Sequence, residues 1–344
     1  MKISLCIPQY NRIQYLLKNL LTIARQSYAD IEVAISDDAS TDNTEEEIAL
    51  FAKTYKYPII YFRHPKNVGY DANLRKSLEM ATGQYCIMLG NDDTLKGDDA
   101  ISNLVGFLQK NELPELGFCN YVEDYNHEIV MARAFCTEVI GTGEETALKY
   151  YRSFSYVAGI IIRKDIFNNV NTDKADGSVF VQMYFAARII TSGGRFFMYN
   201  TPLIIKDIRI DGSMANSYRD TLMKKWSDYK PIDGGLKQVI WAVVEGFSDA
   251  GSDVKKITYK VLKNIYRFTL TYWLIDYRGN GSFVGAVAMA RGMQPSGVKQ
   301  FKLLGAGAKF KIKSYYYFSL LTGFLVPVFV FKKLKPAIYK LIKK

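Results

Sequence analysis

From the N-terminus to about residue 95, short apolar runs alternate with segments in which apolar positions return every three or four residues. Residues 3–7, 31–35, 59–62 and 85–89 are runs of isoleucine, valine, leucine, cysteine and tyrosine, too short for helices and bounded by polar clusters, so they read as buried strands. Between them, residues 14–24, 44–55 and 71–81 carry the spacing of amphipathic helices, the second opened by the capping run Ser40-Thr41-Asp42 and the third stopped by Gly83. Such alternation predicts βαβ units, an α/β fold with a mostly parallel central sheet and helices on both faces.

Beyond residue 116 the pattern is mixed. Strands are expected at 116–121, 157–162 and 195–199, and a helix over 179–190, closed by Ser192-Gly193-Gly194. After about residue 215 helical spacing takes over, at 235–247, 254–274 and 283–291. This divides the chain into an α/β domain over 1–215, a helical region over 216–300 and a tail over 301–344. The tail carries ten lysines and no acidic residue, and within it 315–331 is a stretch of 17 uncharged, mostly apolar residues interrupted by Gly323 and Pro327. A spanning helix needs roughly 20 such residues, so the stretch is expected to be re-entrant or to lie in a membrane interface. A buried core helix and a single span are the alternatives. Lys309, Lys311 and Lys313 precede it and Lys332, Lys333, Lys335, Lys340, Lys343 and Lys344 follow, which places both ends near one anionic leaflet.

Charge follows the same division. The net charge is +11, yet residues 1–220 hold 23 Lys/Arg against 28 Asp/Glu whereas residues 221–344 hold 22 against 6. A half so basic implies an anionic partner, a phospholipid surface or nucleic acid. Its lysines are interleaved with long apolar runs and no recognition motif is present, so the expected partner is an anionic membrane surface and not nucleic acid. Cys6, Cys86, Cys119 and Cys136 form no CxxC pair and are expected to be reduced core residues. Met1-Lys2 leads straight into a strand, without the layout of a secretory signal, and this predicts a cytoplasm-facing protein.

In an open α/β sheet, ligands bind outside the carboxyl ends of the strands. Three polar clusters fall there: Gln9-Tyr10-Asn11-Arg12, Asp37-Asp38 and Asn91-Asp92-Asp93. Adjacent carboxylates repel unless a cation lies between them, and oxygen ligands suit Mg²⁺ or Mn²⁺ held largely through substrate phosphates, which points to a diphosphate site. A surface turn is the bland alternative for any one of these pairs. The chain has no GxxxxGK[ST] loop, no GxGxxG after its first strand and only two histidines, His64 and His127, so kinase, dinucleotide and triad-hydrolase chemistries lose ground.

The ordered segments Ile3-Ser4-Leu5-Cys6-Ile7-Pro8-Gln9-Tyr10-Asn11-Arg12, Gln26, Ser36-Asp37-Asp38-Ala39-Ser40-Thr41-Asp42, Asn67-Val68-Gly69, Ala81-Thr82-Gly83-Gln84-Tyr85 and Leu89-Gly90-Asn91-Asp92-Asp93 resemble the bacterial glycosyltransferase family 2. The resemblance implies the Rossmann-like GT-A fold. It also implies that Pro8 and Tyr10 line a base pocket, that Asp38 accepts a hydrogen bond from the base, and that Asp92 holds ribose or sugar hydroxyls. Asp93, last of a DxD-like motif, would bind the Mn²⁺ or Mg²⁺ that bridges the diphosphate. Gln9, Arg12, Asp37, Asn67 and Asn91 join the nucleotide-sugar set as parts of these motifs. The chain departs from the family in having Asn91 for an aspartate. A family signature also falls on Asn73-Leu74-Arg75, so that Arg75 becomes the residue reaching for phosphate. The family's Glu-Asp pair at the start of the helix containing Arg188 falls on Val181-Gln182, neither of which takes a proton. The nearest carboxylate, Asp176, is the expected general base, with Asp173 behind it and a helix-capping or loop role as the alternative. Arg209-Ile210-Asp211-Gly212-Ser213 resembles the family loop that approaches metal and diphosphate, with Arg209 as phosphate clamp and Asp211 as a further metal ligand.

The expected activity is metal-dependent, inverting transfer of a sugar from a nucleoside-diphosphate sugar to a hydroxyl of a lipid-linked glycan. Its expected place is the cytoplasmic face of the bacterial inner membrane, as a peripheral or monotopic protein. The alternative is a catalytically weak or inactive GT-A-like binding module at a membrane surface, kept open by the missing Glu-Asp pair.

Overall fold

A computed structural model describes residues 1–214 and 235–334. These fall into two compact units, 1–214 with Glu245–Ser252, and 235–244 with 253–334. Lys335, Lys340, Lys343 and Lys344 lie outside the described residues.

In the first unit the parallel half of the sheet forms as the alternation requires. Strands β1 (Ile3–Gln9), β2 (Ile31–Asp37), β3 (Ile59–Arg63) and β4 (Tyr85–Met88) run parallel in the order β3-β2-β1-β4. The intervening helices are α1 (Ile13–Ile23), α2 (Thr44–Phe51) and α3 (Tyr70–Met80). Leu16, Leu20 and Ile23 of α1 are fully or almost fully enclosed with Leu5, Ile7, Val33, Ile35 and Ile87 of the strands, which makes this layer the core. After β4 come β5 (Thr94–Leu95), α4 (Ala100–Lys110), β6 (Leu116–Glu123), β7 (Asn126–Met131) and β8 (Glu138–Gly141). They are followed by α5 (Glu144–Tyr150), β9 (Ile160–Arg163), α6 (Lys164–Val170), α7 (Val181–Thr191) and β10 (Phe196–Lys206). The sheet continues β4-β9-β6-β10-β5, with β9 antiparallel to both neighbours and β10 parallel to β6. The sheet is therefore parallel on one side and mixed on the other. β10 runs well past the expected end at residue 199, its register slipping around Pro202, whose ring has no N–H to give the ladder.

The amino edge of the sheet is tightly closed. Glu32, 1 % exposed, accepts hydrogen bonds from Ser4 Oγ at 2.6 Å and from Thr82 N and Oγ1 at 2.6 Å each, and pairs with Lys2 Nζ at 2.7 Å. Gly83 lies so close that a Cβ there would sit 2.8 Å from the Lys2 carbonyl oxygen. Cys6, Cys86 and Cys119 are buried free thiols and Cys136 is half-buried.

In the helical part, Gly235–Asp249 is one helix, and the expected 254–274 helix forms and continues to Gly279 with a π-turn inside it. It runs over Val254–Asn264, opens into a π-helical turn at Ile265–Thr269 and resumes over Leu270–Gly279. Phe283–Gly292 follows. The final long helix runs over Ala306–Leu325, so that it takes in Lys309, Lys311 and Lys313 together with the first part of the apolar stretch 315–331. It ends at Leu325, and a second segment, Val328–Leu334, leaves it at 104°. Among the described residues no single helix is long and apolar enough to cross a membrane.

Candidate active site

Because β2, β1 and β4 are adjacent and parallel, the loops after them leave the sheet side by side. Gln9, fully buried at the end of β1, fastens these loops together. Its Nε2 donates to Thr44 Oγ1 at 3.1 Å and to the Asn11 carbonyl, and its Oε1 accepts from Asn91 Nδ2 at 2.8 Å. Asn73 Nδ2 on α3 donates to the Gln9 carbonyl at 3.0 Å. Gln9 and Asn91, expected among the nucleotide contacts, are thus committed to the floor of the site.

Asp37 is likewise enclosed. It accepts from Ser40 N at 3.0 Å, from the Ser40 hydroxyl and from Tyr61 Oη at 2.6 Å, while burial, and then this contact, push the Tyr61 phenol up. This shapes the loop that presents Asp38, whose carboxylate accepts from the amides of Val68 at 2.6 Å and Gly69 at 3.1 Å. Asn67 is exposed and closes its own turn by accepting from Gly69 N at 3.2 Å. Tyr10, by contrast, is 46 % exposed beside the half-buried Pro8.

The backbone is strained at this edge. Asn11, Arg12 and Ala39 hold φ of 53°, 63° and 59°, a left-handed conformation costing a non-glycine residue roughly 1–2 kcal/mol. Ser40 Oγ accepts from Asn11 N at 2.8 Å, Asn11 Oδ1 accepts from Thr41 N at 2.8 Å, and the resulting turn directs Arg12 Nη1 to Asp92 Oδ2 at 3.3 Å.

The two carboxylates after β4 converge. A Cβ on Gly90 would lie 2.6 Å from Asp93 Oδ2 and 3.2 Å from Asp92 Oδ1, so both face the space that the glycine leaves open. Asp93 is 4 % exposed, and burial, reinforced by the charges of Asp92 and Asp207, pushes it up to about 8 despite the hydrogen bond it accepts from Asp207 N at 3.1 Å. Burial raises Asp92 as well, with Arg12 pulling it back. Asp207, φ 53° and paired with Lys206 Nζ at 2.6 Å, belongs to no motif in the sequence and is brought here by the fold alone.

Among the described residues no group of three His, Cys, Asp or Glu side chains could hold a metal by itself. Mg²⁺ or Mn²⁺ does not require one. Such ions keep several waters and take one or two carboxylates plus phosphate oxygens, a demand that Asp92 and Asp93 fit. Asp211 is explained differently. It sits exposed at the tip of the hairpin formed by Arg209–Ile210 and Ser213–Met214, where Asp211 and Gly212 have φ of 50° and 78°, the two-residue turn that favours Asp-Gly. Arg209 donates its amide to Asp124 at 2.9 Å and lays its guanidinium 5.3 Å from the Tyr125 ring centre, while its Nε is buried without a hydrogen-bond partner.

Arg75 and Asp176 are bound to each other. Arg75 Nε and Nη2 donate to the two Asp176 oxygens at 2.8 and 2.6 Å, and Nη1 reaches Asn171 Oδ1 at 3.1 Å. The fallback Asp173 gives its carbonyl to Asp176 N at 2.9 Å in the same loop. The buried Asp71 at the start of α3, a second residue missed from the sequence, accepts from Val179 N at 2.7 Å and Val181 N at 3.2 Å and so caps α7. Gln182, where the family has a carboxylate, is 3 % exposed with its Oε1 unpartnered. A cavity of about 480 Å³ lined by Gln84, Arg163, Lys164 and Asn168, among others, opens at the amino edge of the sheet. Its cations are already engaged, Arg163 with Glu115 at 2.8 Å and Lys164 with the Leu78 carbonyl at 2.6 Å, so the polar loops of the carboxyl edge define the site.

A sheet that is parallel on one side and mixed on the other, with a paired acidic motif at its carboxyl edge, fits the GT-A fold. Residues 4–170 match the family model described as Glycosyl transferase family 2. The chain is 32 % identical over 223 residues to the abequosyltransferase RfbV of Salmonella typhimurium, a match spanning 60 % of this chain and 66 % of that protein. It is 26 % identical over 243 residues to the glycosyltransferase GlyG of Streptococcus pneumoniae, across 66 % and 80 % of the two chains. Residues 4–170, just under half of the chain, thus carry the likeness to glycosyl transferase family 2. In fold it is similar to residues 1–349 of S. aureus TarS in complex with UDP-GlcNAc, with a TM-score of 0.61 at 13 % identity over 94 % of this chain and 92 % of that one. The mannosyltransferase PcManGT from Pyrobaculum calidifontis in complex with GDP-Man and Mn²⁺ aligns with a TM-score of 0.52 over 94 % and 87 % of the two chains.

Proposed function

We propose that the protein transfers a sugar, with inversion, from a nucleoside-diphosphate sugar to a hydroxyl of a lipid-linked glycan of a surface polysaccharide. Its place of action is the cytoplasmic face of the bacterial inner membrane. The observation that carries the donor half is the convergence of Asp92 and Asp93 on the space above Gly90, between loops that also present Tyr10, Asp38 and Arg12. The relatives' names support the sugar-transfer half: one is an abequosyltransferase, and one structural neighbour holds UDP-GlcNAc.

In this reading Tyr10 offers its exposed ring to the base beside Pro8, and each Asp38 oxygen keeps a second lone pair for a ring N–H. Asp92 takes donor hydroxyls. Asp93, with Asp92, would hold Mn²⁺ or Mg²⁺ against the diphosphate, where the ion offsets the charge that builds on the leaving group. Arg209 and Arg12 share the phosphates. Asp176 accepts the proton of the acceptor hydroxyl as that oxygen attacks the anomeric carbon and the bond to the diphosphate breaks on the opposite face. The Arg75 fork holds the Asp176 carboxylate in place and leaves it the lone pairs the proton needs.

The same ion pair favours the second reading, a weak transferase or donor-binding module, because it ties up Asp176, the nearest carboxylate to the position of the missing base. Incubation with UDP-, CDP-, GDP- and dTDP-sugars, with and without Mn²⁺, tests both. The proposal expects nucleoside diphosphate to appear with one donor class and only with the metal. Donor binding without any release would favour the module, and neither binding nor release would defeat both.

A further inference from the structure

The helix Ala306–Leu325 is built inside out. Its buried face is Ile312, Tyr316, Ser319 and Gly323, mostly small or polar at its C-terminal end, whereas Phe310, Tyr317, Phe318, Leu321 and Leu325 on another face are 73, 62, 58, 56 and 69 % exposed. Those five positions recur at helical spacing and form one apolar stripe. The inward residues make the contacts expected where helices meet without a hydrophobic drive between them. Thr271 Oγ1 donates to Ser319 Oγ at 3.0 Å, the Ser319 hydroxyl bonds to the Tyr266 carbonyl, and Gly323 is in close contact with Leu274, which a Cβ would meet at 2.7 Å.

The stripe does not stop at the helix end. Arg278 Nη1 donates to the carbonyls of Gly323 at 2.7 Å and Val326 at 3.0 Å, which satisfies the oxygens left open before Pro327. The chain then bends by 104° into Val328–Leu334, where Phe329 is 74 % exposed. Phe283 and Val284, 60 and 74 % exposed, adjoin the same surface through the Phe283–Phe324 ring contact, with centroids 5.6 Å apart. Lys309, Lys311 and Lys313 stand at one end of the stripe and Lys332 and Lys333 at the other, with no acidic residue from 301 onward.

We infer that this surface enters one leaflet of an anionic bilayer without crossing it, the aromatic stripe lying among the acyl chains and the two lysine groups resting on phosphates of the same leaflet. Water favours the opposite arrangement of faces, and an unlike-charged protein partner would not account for uncharged aromatics as the exposed majority. The bend brings the second lysine group back toward a headgroup plane and makes a span too short to cross. The inference deepens the membrane half of the proposed function but is argued from the helical unit alone. Its test reads lipid binding and not turnover, so either can fail without the other.

The test is co-sedimentation of the full chain with vesicles of phosphatidylcholine alone, or with phosphatidylglycerol at about a third of the lipid. Binding to the anionic vesicles is expected, at least about tenfold tighter than to phosphatidylcholine, and weakening in high salt. The double variant Phe318→Glu/Leu321→Glu changes exposed positions only. It should keep the parent's melting temperature and lose about tenfold or more in partitioning. Lys332→Glu/Lys333→Glu should lose most of the preference for the anionic lipid while retaining residual binding to both vesicles. Wild-type protein that stays in solution, or Phe318→Glu/Leu321→Glu protein that partitions like the parent, would overturn the inference. A lipid-free dimer that dissolves on the same substitutions, with no vesicle binding, would assign the stripe to a second copy of the chain instead.

Discussion

Glu32 and Asp93 are both buried carboxylic acids at an edge of the same sheet, and their surroundings pull them in opposite directions. Burial alone would raise Glu32, but hydrogen bonds from Lys2, Ser4 and Thr82 overcome it and hold the acid down at about 2. Burial, with repulsion from Asp92 and Asp207, raises Asp93 to about 8, and the Asp207 amide and Lys206 offset this only in part. The amino edge is a finished electrostatic structure. At the carboxyl edge ionisation is unfavourable and a positive charge would favour it, which is what the proposed function asks of this edge.

The comparison breaks most visibly at Asp93. Asp93→Asn should lower metal-dependent release of nucleoside diphosphate about a thousandfold, since it removes the ion's ligand and keeps the acceptor for Asp207 N. The same variant should melt a few degrees higher at pH 8, because the burial cost of the ionised form disappears. The folded-state value lies above the ordinary 3.8, so stability is lost as pH climbs from there towards about 8, and the variant's advantage should grow across that window in thermal scans.

Next in size is Asp176→Asn, expected to lower kcat about a hundredfold with donor affinity unchanged, measured by steady-state kinetics beside calorimetry. Equal losses in kcat and donor affinity would move Asp176 from proton acceptor to scaffold.

Glu32→Gln sharpens the comparison from the other side. Turnover should hold while stability at pH 7 falls by at most about 3 kcal/mol. The folded value lies below the ordinary 4.5, so the contribution is full above 4.5 and is lost as pH falls towards about 2, and the two proteins should converge there in denaturant titrations. The smallest effect is expected at Asp71→Ala, roughly 1–3 kcal/mol from the uncapped α7 and the two amides left without an acceptor, seen as a lower midpoint in urea.

The donor side of this site was legible in the sequence because each of its loops follows a short buried strand, so local motifs already fix where Tyr10, Asp38 and Asp93 emerge. Side-chain direction was not. Gln9 and Asn91 belong to the right loops but turn inward to each other, a contact set by tertiary approach across 82 positions. The insertion of β9 antiparallel between β4 and β6 was invisible because Ile160-Ile161-Ile162 reads the same in either direction. Asp71 and Asp207 act through main-chain amides far along the chain, which no spacing announces. In the tail, the apolar stretch at 315–331 and its flanking lysines stand out in the sequence, whereas the bounds of the helix, Ala306–Leu325, do not. Only packing revealed which face is buried.

The central claim is that Asp93 joins a cation and a nucleotide at the carboxyl edge, and titration calorimetry of nucleoside diphosphates into the wild-type chain and Asp93→Asn, each with and without Mn²⁺, tests it most directly. The account predicts heat of binding only for wild type with the metal present. Equal binding by Asp93→Asn, or none by the wild type with any of the four nucleotides at any Mn²⁺ concentration, would contradict it.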